Sequence, residues 1–234
     1  MYYGYGFMDP TYILVIIGAV LCLAASAHVK SAYRKYANVR SASGMTGAQA
    51  AEMILRRNGV TGVQVQHVAG ELTDHYNPST GVVNLSDTTY NSTSVAAIGV
   101  AAHECGHVMQ HETGYLPLRF RTALVPVANI GSNIGIWIVM LGLILGLNSS
   151  LAMIGVYLFS FGVLFQLVTL PVEFDASRRA LVMLQDYGIL GQNEVQGSRA
   201  VLNAAALTYV ASAAASVLQL LRLLMIVNNG RRRR

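Results

Sequence analysis

Two histidines and a glutamate form the most chemically informative stretch of this 234-residue sequence. The run HECGH, residues 103–107, places two imidazoles four positions apart, and such positions share one face of a helix. Both imidazoles can then bind one metal ion with the glutamate beside a metal-bound water, as in zinc hydrolases with the H-E-x-x-H pattern. The pattern predicts a zinc site at which Glu104 takes the water's proton and later gives it to the leaving amine.

The alternative to a metal site is a chance pattern on a polar helix surface. Residues 95–102, directly before the motif, are small and apolar. A buried helix that ends in two histidines and a glutamate is costly unless these groups have a partner. The apolar neighbours therefore favour the metal site. Cys105 is interpreted as a small packing residue and not as a nucleophile.

A zinc hydrolase needs a third protein ligand and one open position for water. His111 cannot share an ion with His103, because eight helical residues span about 12 Å. A carboxylate is left, and Glu173 directly follows the third apolar block of the sequence. A helical hairpin through the bilayer would return it to the motif. Asp175 is a rival ligand on another helix face, and Glu173 as a mere flanking charge is the structural alternative.

The apolar residues around these groups are arranged in blocks. The chain is 53% hydrophobic and 12% charged, against about 25% charged residues in soluble domains, which excludes an ordinary soluble globule and a disordered chain. Residues 11–27, 123–147 and 151–172 carry no charge, and residues 204–227 are interrupted only by Arg222. Blocks of this length predict three to four membrane helices.

The distribution of basic residues predicts an orientation. Residues 1–9 contain no lysine or arginine, whereas basic residues follow the first block and flank the second and third blocks. The positive-inside rule then places the N-terminus outside and the motif in the cytoplasm. If residues 204–227 crossed the membrane, Arg231–Arg234 would lie outside, against the rule, so spanning and lying on the membrane both stay open for this block.

The net charge of +5 depends on that terminal arginine run. We expect the run to meet anionic lipid headgroups. The sequence shows neither interleaved aromatic and basic residues nor a glycine-rich phosphate loop, so no nucleic-acid partner is expected. Glycines in the second and third blocks permit close helix packing, either inside a hairpin or in an oligomer.

Helix, strand and turn signals divide the chain into five predicted parts. In the soluble part they predict a helix at 46–58 capped by Thr46, a strand at 63–68, a hairpin over 71–85 and the motif helix at 94–111. Pro171 is expected to start a new helical segment. The five parts are a transmembrane anchor (11–28), a peptidase domain (29–121), a transmembrane hairpin (123–172), a helix with the third ligand (173–203), and a C-terminal apolar helix with the arginine tail (204–234).

The hairpin suggests how a substrate is held. Strand 82–86 is predicted to offer an open edge onto which an extended peptide adds, with an ordinary hairpin strand as the alternative. The group that stabilises the oxyanion is left open among four candidates: His75, Tyr76, Arg178 and Arg179.

The sequence resembles the YugP-like membrane zinc metallopeptidases over nearly its whole length. This resemblance implies zinc bound by His103, His107 and Glu173. Glu104 is then the general base. The matching stretches, in chain order, are residues 72–78, 82–86, 103–107 and 171–180.

The layout more distantly resembles the heat-shock membrane protease and the CAAX prenyl protease group, which also insert membrane helices between the zinc-binding pair and a glutamate ligand. In that group an aspartate four residues after the glutamate supports a ligand histidine. Ser177 occupies this position here. Support for the histidine is therefore expected from elsewhere, with Asp175 or a backbone carbonyl as candidates.

These observations predict a mainly α membrane protein with three to four apolar helices and a small α+β zincin-like metallopeptidase domain on the cytoplasmic side. The predicted activity is endopeptidase cleavage of a membrane-associated peptide or protein at the membrane surface. An intramembrane protease is disfavoured, because only about eight apolar residues precede His103 and a span needs about twenty. A non-catalytic zinc-stabilised scaffold would need four protein ligands around the metal.

Overall fold

The computed structural model describes residues 10–144 and 149–232. The described chain is mostly helical with one small sheet, which confirms the predicted fold class. The elements are α1 Tyr12–Ala37, α2 Gly47–Arg57, β1 Gln64–His67, β2 His75–Asn77, β3 Val82–Leu85, α3 Val95–Glu112, α4 Leu116–Ile144, α5 Ser149–Asp186 and α6 Gln192–Arg232. Among these described elements, four helices are long and apolar enough to cross a membrane: α1, α4, α5 and α6.

The chain forms two compact units. The apolar unit comprises Met1–Ala25, Arg119–Leu170 and Thr208–Arg234, and the site unit comprises Ser26–Leu118 and Pro171–Leu207. Residues 148–150, which separate the second and third apolar blocks, lie partly outside the described residues. The side chains of the arginine tail lie outside them as well, so the expected lipid contact of that tail stays a prediction.

Glycines allow α4 and α5 to pack closely in the apolar unit. A Cβ at Gly131 would collide with the carbonyl oxygen of Leu158, and a Cβ at Gly135 would lie 2.9 Å from that of Gly155. One turn after Gly135 on α4, Val139 is buried in an apolar cluster that also includes residues of α6. The described glycines of these two blocks therefore serve the hairpin itself.

Helix α5 passes through Pro171 without a break. The structure thus corrects the expectation that Pro171 starts a new segment: the predicted helix 173–203 is the end of α5 and the beginning of α6. Proline removes one backbone hydrogen bond, and apolar helices tolerate this loss when their neighbours hold both halves in place. Residues on both sides of Pro171 are packed, since Thr169 is 3% and Val172 0% exposed.

The sheet of the site unit has the order β1-β3-β2. Strand β3 pairs in parallel with β1 through Val65 and Val83, and antiparallel with β2 through Tyr76 and Val83. The predicted hairpin of strands over residues 71–85 is confirmed. The prediction that strand 82–86 offers an open edge is wrong. Because β3 is central, both of its edges are already hydrogen-bonded, and a peptide cannot add to it.

Local signals set the start of both helices that pack on this sheet. Thr46 and Gln49 form a reciprocal capping box, with the Thr46 hydroxyl accepting from the Gln49 amide at 3.2 Å. The Ser94 hydroxyl accepts from the Ala97 amide at 3.2 Å at the start of α3. From there α3 runs through the core of the site unit, and this places residues 103–107 in its buried second half.

Candidate metal centre

Three side chains converge between α3 and α5. His103 Nε2 lies 3.3 Å and His107 Nε2 lies 3.6 Å from Oε2 of Glu173. Their donor atoms all lie within 4.8 Å of one another. The Glu173 residue is only 3% exposed. The structure therefore brings together the three residues predicted as ligands.

A close helix contact makes this convergence possible. Gly106 lies between the two histidines on α3, and a Cβ there would collide with the backbone carbonyl oxygen of Ala176 on α5. The absence of a side chain lets the two helix backbones approach. Glu173 stands almost one turn before Ala176, so its carboxylate reaches the histidine face of α3.

The spacing of the donor atoms fits zinc. Two ligands of a tetrahedral zinc ion, each about 2.0–2.2 Å from the metal, are about 3.3–3.6 Å apart. The measured separations of 3.3 and 3.6 Å between the imidazole nitrogens and the carboxylate agree with this value. Two imidazoles and one carboxylate are also a ligand set of catalytic zinc sites. These residues therefore suit zinc in both geometry and chemistry.

Each histidine has a polar partner at its other ring nitrogen. The Ser177 hydroxyl lies 3.1 Å from Nδ1 of His103, and the Gln110 amide oxygen lies 3.0 Å from Nδ1 of His107. Both rings therefore turn Nε2 toward Glu173. The expectation that support for His103 comes from somewhere other than Ser177 is wrong, because a hydroxyl oxygen can accept from an imidazole N–H as a carboxylate does.

Gln110 is the site residue that the sequence analysis missed. It is 0% exposed, and its Nε2 donates to the Val172 carbonyl at 2.7 Å and to Asp175 at 3.1 Å. One signal could have found it: a buried amide three residues after His107 lies on the same helix face.

Asp175 has partners of its own. Its two carboxylate oxygens accept from Arg178 Nη2 and Arg179 Nε, both at 2.6 Å. It does not belong to the converging group of three. The rival ligand is therefore engaged elsewhere, and its link to the histidines runs through Gln110 to His107.

The remaining candidates for an oxyanion group make structural contacts. Arg178 and Arg179 bind Asp175. His75 donates from Nδ1 to the Thr73 carbonyl at 2.9 Å, and Tyr76 packs edge to face on the His111 ring.

Glu104 differs from the other buried acids of the site unit. The residue is 7% exposed, and within residues 10–144 and 149–232 its carboxylate has neither a hydrogen bond nor an ion pair. The negative charge of Glu104 raises the pKa values of two neighbours, His107 and Cys105. Burial lowers the pKa of His107, but the hydrogen bond to Glu173 and the charge of Glu104 together raise that pKa above its usual value.

Cys105 is a packing residue, as predicted. It is fully buried in the core of the site unit, with Sγ 3.7 Å from the Ala51 carbonyl. Burial, and to a lesser degree the charge of Glu104, raise the pKa of this thiol far above its ordinary range. A thiol held protonated in this way is not an effective nucleophile.

The comparisons with known proteins agree with this site. A family described as "Putative neutral zinc metallopeptidase" matches residues 11–228. The chain belongs to this family. "Putative membrane protease YugP" of Bacillus subtilis (strain 168) is 45% identical over 218 residues, which cover 93% of this chain and 96% of that protein. No solved structure matches the chain.

Family membership confirms the resemblance to the YugP-like proteins. The chain is a membrane protein of a zinc metallopeptidase family, and its four apolar helices agree with this class. The roles of the individual site residues stay predictions.

Proposed function

We propose that the chain is a zinc-dependent endopeptidase that cleaves membrane-associated peptides or proteins at the cytoplasmic surface of the membrane. The observation that carries the proposal is the convergence of His103, His107 and Glu173 at zinc-like spacing. Glu104 supports it, because this residue stands next to His103 on α3, is only 7% exposed and has a carboxylate that no described side chain binds, which leaves it free to take a proton.

Glu104 and the three ligands have separate roles in this proposal. His103, His107 and Glu173 would hold the zinc ion, and such an ion, when bound, would supply a Lewis acid for the reaction. Glu104 accepts a proton from the attacking water, and the oxygen of that water forms the new bond to the carbonyl carbon. When the C–N bond breaks, Glu104 gives this proton to the departing amine, and an acid and an amine are released.

The polar composition of the second half of α3 supports a site at the surface rather than inside the bilayer. In the described part of the chain, α3 is not among the helices that are long and apolar enough to cross a membrane. The site unit also contains the sheet, whose outer strands have exposed polar residues such as Gln66. Intramembrane proteolysis would instead place the motif within a spanning helix.

Cysteine labelling tests the proposed orientation. Two exposed positions of the site unit receive single cysteines, Gln66→Cys and Glu112→Cys, each in a Cys22→Ser background. We expect a membrane-impermeant maleimide to label both only after the cells are permeabilised. Labelling of intact cells would contradict a cytoplasmic site, and failure of both to label in detergent-solubilised protein would contradict a surface location.

A non-catalytic zinc scaffold is the main alternative function. It would need a fourth protein ligand, whereas the converging group in the described residues has three members. The Glu104→Gln variant separates the two functions, because it keeps the shape of the side chain and removes only its ability to take a proton.

The test uses purified full-length protein and an unfolded protein substrate. We expect Glu104→Gln to keep its zinc but to lose activity by at least about 100-fold, the usual contribution of a general base. Glu52→Gln, an exposed change on α2, is the matched control and should behave as wild type. Equal cleavage by Glu104→Gln and wild type would disprove the mechanism, and zinc binding without any cleavage by wild type would favour the scaffold.

A further inference from the structure

The neighbours of Gln110 fix the orientation of its side-chain amide. Its Nε2 lies between the Val172 carbonyl oxygen and the Asp175 carboxylate. The carbonyl oxygen can only accept a hydrogen bond, and the carboxylate, which binds Arg178 and Arg179, accepts as well. If the amide were flipped, its oxygen would face two acceptors in a fully buried position. The NH2 group must therefore point toward α5.

The fixed amide determines the state of His107. With the NH2 group toward α5, the oxygen of Gln110 faces Nδ1 of His107 at 3.0 Å. An amide oxygen only accepts, so Nδ1 must carry a proton and donate it. In the neutral ring, Nε2 is then the unprotonated nitrogen, and it is the atom that faces Glu173.

His103 has a less restrictive partner. The Ser177 hydroxyl at its Nδ1 can donate or accept. This contact is compatible with both tautomers of the His103 ring. The two histidines therefore differ at Nδ1: the amide oxygen beside His107 requires a proton there, whereas the hydroxyl beside His103 does not.

We propose that Gln110, held in place by Asp175, is a positioning residue that keeps His107 in its metal-binding tautomer and orientation. The inference rests on the proposed zinc site and adds to it the residue that prepares one ligand. Gln110 is not itself a ligand. Loss of a hydrogen-bond partner of a ligand typically lowers metal affinity about 10–100-fold.

A purely structural role is the competing explanation, because Gln110 also links α3 to α5 through the Val172 carbonyl. The two roles differ in what they leave unchanged. A structural link affects the stability of the protein without zinc, whereas a positioning role also changes the tautomer of His107 and the affinity for zinc.

The experiment compares full-length wild type with Gln110→Met, which keeps the length of the side chain but makes no hydrogen bond to His107. Gln196→Met, an exposed change on α6, is the matched control. Zinc affinity is measured by competition with a chromophoric chelator, and thermal unfolding is measured without zinc. The His107 tautomer is read from long-range 1H–15N spectra of the zinc-free protein at alkaline pH, with His107→Ala used to assign the signal.

We expect Gln110→Met to bind zinc about 10–100-fold more weakly and to show a mixture of His107 tautomers, while Gln196→Met matches wild type. Zinc affinity within two-fold of the control, or an unchanged tautomer, would overturn the positioning role. If wild type itself bound no zinc, or if His103→Ala left zinc binding unchanged, the zinc site would be disproved instead, so the two failures are distinguishable.

Asp175→Ala provides a second test in case Gln110→Met does not fold. It leaves Gln110 in place but removes one of the two acceptors that orient the amide. We expect a loss of zinc affinity in the same direction but smaller than that of Gln110→Met, with some population of the other His107 tautomer. Unchanged affinity and tautomer in Asp175→Ala would contradict the proposed network.

Discussion

Helix α5 takes part in two close helix contacts of different chemistry. Its first part packs on α4 in the apolar unit, and its second part packs on α3 in the site unit. Both contacts depend on a glycine that faces a backbone carbonyl, Gly131 in the first and Gly106 in the second. Gly131 also lies against the apolar Phe161 side chain, whereas Gly106 lies beside buried polar groups such as Gln110.

The two contacts differ in how tightly each one fixes the relative position of its two helices. An apolar contact is non-directional, so small shifts along the helix axis change its energy only gradually. When a partner moves away from a buried amide or carboxylate, the free energy rises by the full desolvation penalty of that group. The contact between α3 and α5 therefore tolerates one arrangement, and that arrangement is the one in which Glu173 meets both histidines.

Removal of Glu173 should have the largest effect on the polar contact. We expect Glu173→Ala to lose nearly all bound zinc, because two imidazoles alone leave the site without its carboxylate ligand. Metal analysis of the purified protein measures this, with Gln185→Ala on the exposed side of α5 as control. Retention of zinc at the wild-type level would show that Glu173 is not a ligand.

Alanine at the two glycines compares the contacts directly. Gly106→Ala and Gly131→Ala each introduce a Cβ against a backbone carbonyl, and we expect each to lower stability by about 1–3 kcal/mol, as overpacking does. Only Gly106→Ala should also weaken zinc binding, because it shifts Glu173 away from α3. Chemical unfolding and zinc competition measure the two effects. Equal loss of zinc affinity in both variants would refute the distinction.

Ser177→Ala should have a smaller effect than Gln110→Met. Ser177 lines an open cavity of about 220 Å³, so water can replace its hydroxyl at Nδ1 of His103, whereas Gln110 is sealed from solvent. We expect zinc affinity to fall by no more than about 10-fold, the lower end of the range for such partners. A larger loss than that of Gln110→Met would reverse the proposed ranking of the two supports.

Arg178→Ala should have the smallest effect. Its side chain is 74% exposed, and exposed ion pairs contribute little to stability. Arg179, whose side chain is 27% exposed, still holds Asp175 in this variant. We expect zinc affinity and thermal stability close to those of wild type. A clear loss of zinc affinity would mean that Arg178 is needed to orient Asp175 and, through it, Gln110.

Local patterns were sufficient for the apolar blocks, the motif helix and the hairpin. Hydropathy runs and helix caps depend on neighbours in sequence, as Thr46 and Ser94 show at the starts of α2 and α3. The central place of β3 was not predictable in this way. Its second partner, β1, lies in a segment before the hairpin and pairs in parallel, and no nearby residue signals such a pairing.

The sequence by itself determined the chemistry of the site: two imidazoles one turn apart, an adjacent acid, and a carboxylate after an apolar return. The residue types are read directly, and the shared face of the two imidazoles follows from helix periodicity, which is a local property. Only the tertiary structure decided how the imidazoles are held, with Ser177 at one and Gln110 at the other. Ser177 reaches His103 from α5, and the Val172 carbonyl of α5 accepts from Gln110 and so orients it. Both contacts join α3 to α5 across more than sixty positions, where Gly106 lets the two backbones approach.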